Sequence, residues 1–487
     1  MAANGTSKLD FTKFYNVING KLETTPKTRH GLNPSTLEPL AEVPLSTAED
    51  VDRAVQAARA AQEAWAETPY EERKKAVAKL GDLMEENLNE FAVMLSKEQG
   101  KPIGFAQFEI SEAIKHFRGV PTLPFPEEVV SDDPDRRVIT RYVPLGVAVG
   151  IVPWNFPILL AVGKICPALI TGNAFILKPS SADASQVPSP PTATSRSSSS
   201  PSRSSRPASS RRSAATNLGP WLPSPPGVDK VSFTGSTATG KRVMESCAKT
   251  LKRVTLELGG NDAAIVLPDV DIKAVAPKIV TLALYNSGQV CIAIKRIYIH
   301  ESIYDELLTE MANVVNSFPV GDGQKEGTML GPVQNQMQFE RVKDLLKDIE
   351  EQKHKLAAGS TAPASNGKGY FITPTMVDNP PDNSRIVVEE PFGPVFPVLK
   401  WSDEKEVIQR ANNTDMGLGA SVWSKDLEKA QAIAKKLKAG NVWINTHLEL
   451  QYDAPFGGHK QSGIGYEYGA GGLKAYCNAQ SMFITKA

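Results

Sequence analysis

The chain has 487 residues, of which 41% are hydrophobic, so it is long enough for about three domains with sizeable cores. Its 54 basic and 54 acidic side chains cancel, which removes the net field that would attract nucleic acid or an anionic membrane. No stretch approaches the ~20 apolar residues of a membrane helix, and we expect a small-molecule ligand instead.

The cysteines argue against disulfides and metal. Cys166, Cys247, Cys291 and Cys477 are the four in the chain, and they show neither the density of a disulfide framework nor the spacing of metal ligands. The segment from Met1 to Asp10 has no apolar core and no basic amphipathic pattern, so no targeting signal is indicated. We therefore predict a cytoplasmic protein without a metal site.

Three local patterns open the chain. Asn19-Gly20 between two short polar-apolar runs predicts a β-hairpin. Ser46-Thr47-Ala48-Glu49 has the form of a capping box and predicts the start of a helix. The run 137–143 alternates as an edge strand does.

Two apolar runs follow, each ending in a polar motif. The run 146–152 is apolar throughout, as in a strand buried on both faces, and Pro153-Trp154-Asn155 comes directly after it. The run 174–177 predicts another buried strand, which ends at Lys178. Open α/β sheets bind ligands just past the carboxyl ends of their strands, although Asn155 could equally be a turn-capping amide and Lys178 a solvated side chain.

The segment 181–217 does not read as part of a folded domain. Between Ser195 and Ser213 there are eleven serines and five arginines, and Val187 is the only large aliphatic residue of the whole segment. Such a composition cannot build a core. The segment is either a disordered insert or the product of a reading-frame error, and we favour the error. If so, the chain as written should be poorly soluble or unable to bind its small-molecule ligand, and resequencing the transcript would decide.

A glycine-containing turn follows the next predicted strand, 228–233. The residues from Gly235 to Lys241 fit the start of a phosphate-binding loop, but Arg242 stands where a nucleotide triphosphatase needs Ser or Thr to hold magnesium. The helix that this turn begins could still bind a pyrophosphate through its backbone amides.

A carboxylate and a thiol complete the pattern. Glu257 ends a strand-like alternation and is followed by Gly259 and Gly260, which permit close approach of backbone and ligand. Cys291 follows the flexible turn 286–290. A free cysteine is more often a buried apolar residue than a nucleophile, but a thiolate with a carboxylate that activates water is the minimum for forming and hydrolysing an acyl intermediate.

Together these motifs resemble those of the NAD(P)-dependent aldehyde dehydrogenase superfamily over most of the chain. Seven motifs occur in the family's order: Pro153-Trp154-Asn155-Phe156-Pro157, Lys178-Pro179-Ser180, Phe233-Thr234-Gly235-Ser236, Glu257-Leu258-Gly259-Gly260, Gly288-Gln289-Val290-Cys291, Glu390-Pro391-Phe392-Gly393-Pro394 and Pro455-Phe456-Gly457-Gly458. The resemblance implies an α/β fold with a Rossmann-like coenzyme-binding domain (1–123 and 145–257), an α/β catalytic domain (258–460) and a β oligomerisation arm (124–144 and 461–487). It also implies a homodimer or homotetramer.

By this resemblance, Cys291 is the nucleophile, Glu257 the base, Asn155 the oxyanion donor and Glu467 a proton relay. The resemblance also assigns a set of residues to the coenzyme: Val152, Pro153, Trp154, Lys178, Ser180, Gly235, Ser236, Gly240, Leu258, Glu390 and Phe392. Among them Lys178 would contact the adenosine ribose and Glu390 the nicotinamide ribose. Ser181 stands where many NAD-preferring members carry glutamate, so the coenzyme is NAD or NADP.

The implied activity is oxidation of an aldehyde to a carboxylic acid through a thiohemiacetal and a thioester on Cys291. Gly163 stands where several members carry tryptophan, so we expect a wider pocket and a preference for medium-chain or aromatic aldehydes over acetaldehyde. Two alternatives stay open. One is a cysteine-dependent acyltransferase or thioester hydrolase, and the other is an inactive scaffold whose coenzyme domain is disrupted by 181–217.

Overall fold

The computed structural model describes residues 10–180, 225–362, 364 and 368–486. The predictions about 181–217 and Ser181 lie outside these residues. The strands of the described part are β1 (Asn16–Ile18), β2 (Lys21–Glu23), β3 (Thr28–Leu32), β4 (Pro39–Pro44), β5 (Glu127–Asp132), β6 (Arg136–Pro144), β7 (Val147–Ile151), β8 (Ala174–Lys178), β9 (Lys230–Thr234), β10 (Arg253–Glu257), β11 (Asp262–Val266), β12 (Ile294–His300), β13 (Leu356–Ala358), β14 (Thr375–Asp378), β15 (Val395–Trp401), β16 (Gly419–Trp423), β17 (Asn441–Ile444), β18 (Gly463–Ile464) and β19 (Cys477–Thr485).

The helices surround the sheets, and among the described residues none is long and apolar enough to cross a membrane. They are α1 (Ala48–Glu67), α2 (Tyr70–Glu86), α3 (Leu88–Gln99), α4 (Ile103–Gly119), α5 (Pro157–Ile170), α6 (Thr237–Ala248), α7 (Ile272–Leu284), α8 (Tyr304–Ser317), α9 (Gln336–Glu351), α10 (Arg385–Val388), α11 (Glu404–Asn412), α12 (Leu427–Ala434) and α13 (Gly469–Lys474).

The first sheet has five strands in the order β18-β10-β9-β7-β8, parallel except for β18. Every residue of β7 is buried between β8 and β9, as its continuous apolar run predicts. The prediction that β8 is buried is wrong for the described residues. It lies at an edge of the sheet, and Leu177 is 38% exposed.

The second sheet has seven strands in the order β13-β14-β15-β12-β11-β16-β17, and only β13 is antiparallel. Alternate residues of β11 enter different cores, Ala263 and Ile265 in one and Ala264 and Val266 in the other. Burial of both faces is typical of a parallel sheet covered by helices on each side. The molecule thus has the predicted α/β fold with two mainly parallel sheets.

A three-stranded antiparallel sheet, β19-β6-β5, is formed by the two segments that are predicted to make up the arm. The run 137–143 is the central strand here, so its interpretation as an edge strand is wrong. The C-terminal strand β19 pairs with β6 of its own chain over nine residues. The range 461–487 includes β18, which pairs with β10 of the first sheet, and the domain boundaries stay a prediction.

Of two predictions about local structure, the first is confirmed and the second is displaced by one residue. The hairpin at Asn19-Gly20 is present: Ile18 pairs with Lys21, and both turn residues have positive φ. The capping box lies one residue later than expected. Thr47 is the N-cap, its hydroxyl accepts from the Asp50 amide, and the Asp50 carboxylate accepts from the Thr47 amide. Aspartate therefore takes the role that the sequence pattern gave to glutamate.

Candidate functional site

The predicted site lies where the two large sheets meet. Ile151 pairs with Lys178 and with Phe233, and Thr234 pairs with Glu257, so the carboxyl ends of β7 to β10 form one edge. The chain continues from Glu257 into the second sheet, whose strands β11 and β12 begin at this edge. The motifs that follow each strand are thereby brought together, as expected for a ligand site in an α/β sheet.

A turn in left-handed backbone conformation presents Cys291. Asn286, Ser287 and Gly288 have φ of 52°, 56° and 72°, and the Ser287 hydroxyl donates to the Gly331 carbonyl at 2.8 Å. A Cβ at Gly288 would lie 2.0 Å from the Gly393 carbonyl oxygen, so no side chain fits there. This turn places Cys291 three residues before β12.

The glutamate motif contacts the Cys291 backbone. A Cβ at Gly260 would lie 2.4 Å from the Cys291 carbonyl oxygen. Burial raises the pKa of the Cys291 thiol to about 12, and Lys295 opposes that rise, whereas Glu390, Asp262 and Glu257 reinforce it. The sequence prediction that Glu257 and Cys291 form one site is consistent with this proximity.

Glu257 is the last residue of β10 and is 3% exposed. Neither of its carboxyl oxygens has a hydrogen-bond partner among the residues that the structure describes. Burial raises the pKa of Glu257 well above its usual value, the nearby Glu467 raises it further, and Lys164 lowers it. A buried carboxylate without partners is costly, and a raised pKa makes it a stronger base near neutral pH.

Asn155 is 3% exposed and faces the cysteine turn. Its Nδ2 donates to the Gln289 carbonyl at 3.0 Å, and its Oδ1 has no hydrogen-bond partner in the described part of the chain. A side-chain amide carries two N–H groups, so one remains beyond the bond to Gln289. The predicted donor is therefore positioned at the turn that carries Cys291.

A fully buried ion pair that the sequence analysis missed holds the Asn155 segment. Lys101 Nζ lies 2.5 Å from Glu109 Oε2 and donates to the Asn155 carbonyl at 2.9 Å. Glu109 Oε1 accepts from the amides of Ile158 and Leu159 in the first turn of α5. The pair thus fixes both the oxyanion candidate and the helix that follows it.

We expect Lys101→Met to destabilise the protein by about 3–5 kcal/mol, because it leaves the Glu109 carboxylate buried without its cation. It should also lower activity by releasing the Asn155 carbonyl. Unfolding monitored by circular dichroism would measure the loss. The control is Lys115→Met. Lys115 forms an exposed ion pair with Glu112 on α4, the helix that carries Glu109, and its loss should cost less than about 1 kcal/mol. Equal losses in both variants would contradict the role of the buried pair.

Glu467 belongs to a buried polar network. Its Oε1 accepts from Lys164 and from the Ser232 hydroxyl at 2.8 Å, and Lys164 also donates to Thr234 at 2.8 Å. Its Oε2 has no hydrogen-bond partner within residues 10–180, 225–362, 364 and 368–486. Sequence reasoning did not select Lys164, although a single lysine in the otherwise apolar helix Pro157–Ile170 is an available signal.

The residues predicted for the pyrophosphate surround the start of α6. Ser236 is the N-cap, Gly235 donates its amide to the Glu257 carbonyl at 3.0 Å, and the amide of Leu258 donates to the Ser462 carbonyl at 2.8 Å. A Cβ at Gly240 would lie 2.5 Å from Leu258 Cδ2, so the glycine lets α6 pack closely on this segment. The start of a helix carries backbone amides without helical acceptors, and such a start suits an anion.

The residues predicted for the two riboses flank this helix start. The amide of Val152 donates to the Lys178 carbonyl at 3.2 Å, which holds Pro153 beside Lys178. Burial, with a smaller contribution from Arg29, lowers the pKa of Lys178 to about 8, and the Ser180 carbonyl accepts from Arg29 at 3.4 Å.

On the nicotinamide side, the rings of Trp154 and Phe392 meet edge to face at 5.5 Å. Glu390 accepts from the Gly260 amide at 3.2 Å. A Cβ at Gly259 would lie 2.6 Å from Glu390 Oε2, so a larger residue there would displace the Glu390 carboxylate. The residues assigned to the coenzyme therefore line one continuous edge of the sheet. Gly259 and Gly260, together with the start of α6, fit a dinucleotide.

Aromatic side chains enclose Cys291. Its apolar cluster includes Phe156, Tyr285, Phe456 and Tyr468, and the first two rings stack at 6.2 Å. The expectation of a wider pocket at Gly163 is wrong. A Cβ there would lie 2.8 Å from Tyr468 Cε1, because the tyrosine ring occupies the space that a larger residue would take.

The chain matches the aldehyde dehydrogenase family over residues 22–199 and 206–482. The aldehyde dehydrogenase LUC3 of a Fusarium species is 38% identical over 487 residues, covering 98% of this chain and 100% of the relative. The phenylacetaldehyde dehydrogenase of Pseudomonas fluorescens is 35% identical over 479 residues, covering 94% and 93%. The solved NAD+ complex of a Bacillus cereus aldehyde dehydrogenase has a TM-score of 0.86 and 33% identity, covering 96% of each chain. The resemblance and the fold class predicted from the sequence are confirmed, and the chain belongs to the aldehyde dehydrogenase family.

Proposed function

We propose that this protein oxidises an aldehyde to a carboxylic acid with NAD or NADP, by way of a thiohemiacetal and a thioester on Cys291. The observation that carries the proposal is a half-buried thiol, Cys291, that is electrostatically coupled to the buried carboxylate of Glu257, whose oxygens have no hydrogen-bond partner among the described residues. Similar solved structures include the NAD+ complex from Bacillus cereus and an NADP-dependent enzyme from Escherichia coli.

In the first step, the Cys291 thiolate attacks the aldehyde carbonyl. The second N–H of Asn155 and the Cys291 backbone amide stabilise the oxyanion that forms. When bound, the nicotinamide of NAD or NADP supplies the acceptor for the hydride that leaves this adduct. The residues that would hold it are those of the sheet edge, with Glu390 and Lys178 at the riboses and the α6 start at the pyrophosphate.

In the second step, water hydrolyses the thioester. Glu257 takes a proton from that water, and its raised pKa suits the task. We assign Glu467 as the group that passes the proton on, because it couples electrostatically to Glu257 and bonds Lys164 and Ser232. Carboxylate product and free thiol result.

The competing acyltransferase or thioester hydrolase would share Cys291 and Glu257 but would need no dinucleotide site. The arrangement of Gly235, Ser236, Lys178 and Glu390 along the edge favours the dehydrogenase. A panel of aldehydes assayed with NAD and with NADP distinguishes the two. Absorbance of the reduced coenzyme should rise in proportion to acid formed, and thioester cleavage without coenzyme reduction would contradict our proposal. An inactive scaffold would show neither reaction.

We expect medium-chain or aromatic aldehydes to exceed acetaldehyde in kcat/KM, because the aromatic walls bury apolar surface. Each buried methylene contributes about 0.8 kcal/mol, roughly fourfold in kcat/KM. The reason is now the aromatic wall and no longer the small residue at Gly163. The informative variant is therefore Tyr468→Ala, in which the preference for bulkier aldehydes should increase further. An unchanged substrate order in Tyr468→Ala would show that this ring does not line the pocket.

Asn155→Ala should lower kcat by about 10²–10³-fold, the typical loss when one oxyanion donor is removed. Coenzyme affinity should change little, since Asn155 lies at the cysteine turn. Stopped-flow measurement of the first turnover locates the loss in acylation. A variant that acylates at the wild-type rate would remove Asn155 from this role.

We also propose a homodimer or homotetramer assembled through the arm. Apolar side chains lie exposed on β5 and β19, with Val130 64% and Phe483 71% exposed in the single chain. An exposed apolar strand surface of this kind is typical of an interface. Light scattering coupled to size exclusion gives the mass, and a monomer at micromolar concentration would contradict this proposal.

A further inference from the structure

Lys295 is a buried cation that the proposed mechanism does not use. It lies in β12 and is 3% exposed, in a strand otherwise rich in apolar residues. Its Nζ donates to the carbonyls of Val290 at 2.9 Å, Cys291 at 2.5 Å and Ala293 at 3.4 Å. The ammonium thus binds the backbone on both sides of the thiol.

The same ammonium contacts the predicted nicotinamide-ribose residue. Lys295 Nζ lies 3.5 Å from Glu390 Oε1, and both side chains are largely buried. Glu390 Oε1 also accepts from the Gly260 amide, so the carboxylate bridges the lysine and the glutamate motif. One buried ion pair therefore joins the cysteine turn to the coenzyme site.

We propose that Lys295 is a positioning residue that couples the cysteine turn to the coenzyme site. It holds the turn that carries Cys291 and favours the Cys291 thiolate. Glu390 partly neutralises the charge of Lys295 until the coenzyme ribose contacts the Glu390 carboxylate. This inference rests on the proposed roles of Cys291 and Glu390. Drawing Glu390 toward a ribose would remove a negative charge from the thiol and leave the lysine charge less compensated. Both changes favour the thiolate, so coenzyme binding would activate the nucleophile.

Other groups also act on the thiol but belong to different elements. The charged and titratable groups that face Cys291 are Lys295, Glu390, Asp262 with its neighbour His447 at 3.5 Å, Glu257 and Tyr468. Of these, only Lys295 lowers the pKa of Cys291, and it is also the group in contact with Glu390. We therefore predict that substituting Lys295 and substituting Glu390 have opposite effects on the Cys291 thiol.

The test measures alkylation of Cys291 by iodoacetamide, followed by mass spectrometry of the Cys291 peptide as a function of pH. The variants are Lys295→Met and Glu390→Gln, both close in volume to the residues they replace. Without coenzyme, Lys295→Met should react about tenfold more slowly at neutral pH and Glu390→Gln several-fold faster, because Lys295 lowers the pKa of the thiol and Glu390 raises it. The control is Lys347→Met, which removes an exposed pair with Glu351 and should react as wild type does.

Adding NAD+ or NADP+ without aldehyde should accelerate alkylation of the wild type and of the control, should accelerate Lys295→Met by a smaller factor, and should leave Glu390→Gln nearly unchanged. A lysine with a purely structural role could slow Lys295→Met, but the acceleration by coenzyme would then be as large in Lys295→Met as in the wild type. Equal rates and equal coenzyme responses in all proteins would overturn the coupling. Absence of aldehyde oxidation by the wild type would instead count against the proposed function, and the alkylation rates do not depend on that reaction.

Discussion

Cys291→Ala should lower aldehyde turnover by at least about 10⁴-fold, because the variant lacks the nucleophile on which both covalent intermediates form. The substitution removes little volume from a turn whose conformation depends on Gly288, Ser287 and the Lys295 bonds to backbone carbonyls. Fold and coenzyme affinity should therefore be preserved. Steady-state assays and calorimetric titration with NAD+ measure the two quantities separately.

A matched control is Cys477→Ala. Cys477 is a buried thiol in β19, in the arm, and its Sγ contacts the Leu473 carbonyl at 3.5 Å. Its loss should change stability slightly and turnover within a factor of a few. Turnover by Cys291→Ala at more than a trace would exclude the covalent mechanism.

Glu257→Gln should lower steady-state turnover by about 10²–10⁴-fold, the usual contribution of a general base, while leaving the first turnover fast. Rapid mixing should show a burst of reduced coenzyme close to one equivalent, followed by a stall as the thioester accumulates. Intact-protein mass spectrometry of quenched samples detects the acyl group on Cys291. A variant with no burst and no acyl-enzyme would remove Glu257 from the role of deacylating base.

The pH dependence supplies a second criterion for Glu257. Because burial and Glu467 raise its pKa, the basic carboxylate form increases as pH rises through that raised value. The deacylation rate of the wild type should rise with it, and the Glu257→Gln rate should lack this dependence. Glu467→Gln should retain the burst of reduced coenzyme, and its steady-state turnover should fall less than that of Glu257→Gln. The reason is that Lys164 and Ser232 already bind one oxygen of Glu467. A stall of equal depth in Glu467→Gln would assign the base role to Glu467 instead.

Patterns among neighbouring residues in the sequence predict most of the fold and the main site candidates. Apolar runs that end in glycine-rich or polar motifs predict parallel strands with ligand residues at their carboxyl ends, and the strand registers place Lys178, Thr234 and Glu257 along one edge. The hairpin at Asn19-Gly20 follows from backbone preference alone. Such features depend on neighbouring residues, which is why one sequence is enough to recognise them.

Pairings between distant segments were not accessible in this way. Lys101 and Glu109 stand at a helix start and within α4, and neither residue shows from its neighbours that it supports Asn155, 54 positions beyond Lys101. The same holds for Tyr468, which occupies the space beside Gly163 and reversed the expectation of a wide pocket. These contacts depend on how α4, α5 and the segment after β18 pack.

The sequence by itself determined the α/β class, the family, the order of the strands along the chain and the residue types that can do the chemistry, because periodicity, turn propensity and motif spacing are properties of neighbouring residues. Only the tertiary structure decided which buried charges act together. Lys295 with Glu390 and Lys164 with Glu467 are 95 and 303 residues apart, and their interaction requires the two sheets to bring them within hydrogen-bond or ion-pair distance inside a low-dielectric interior.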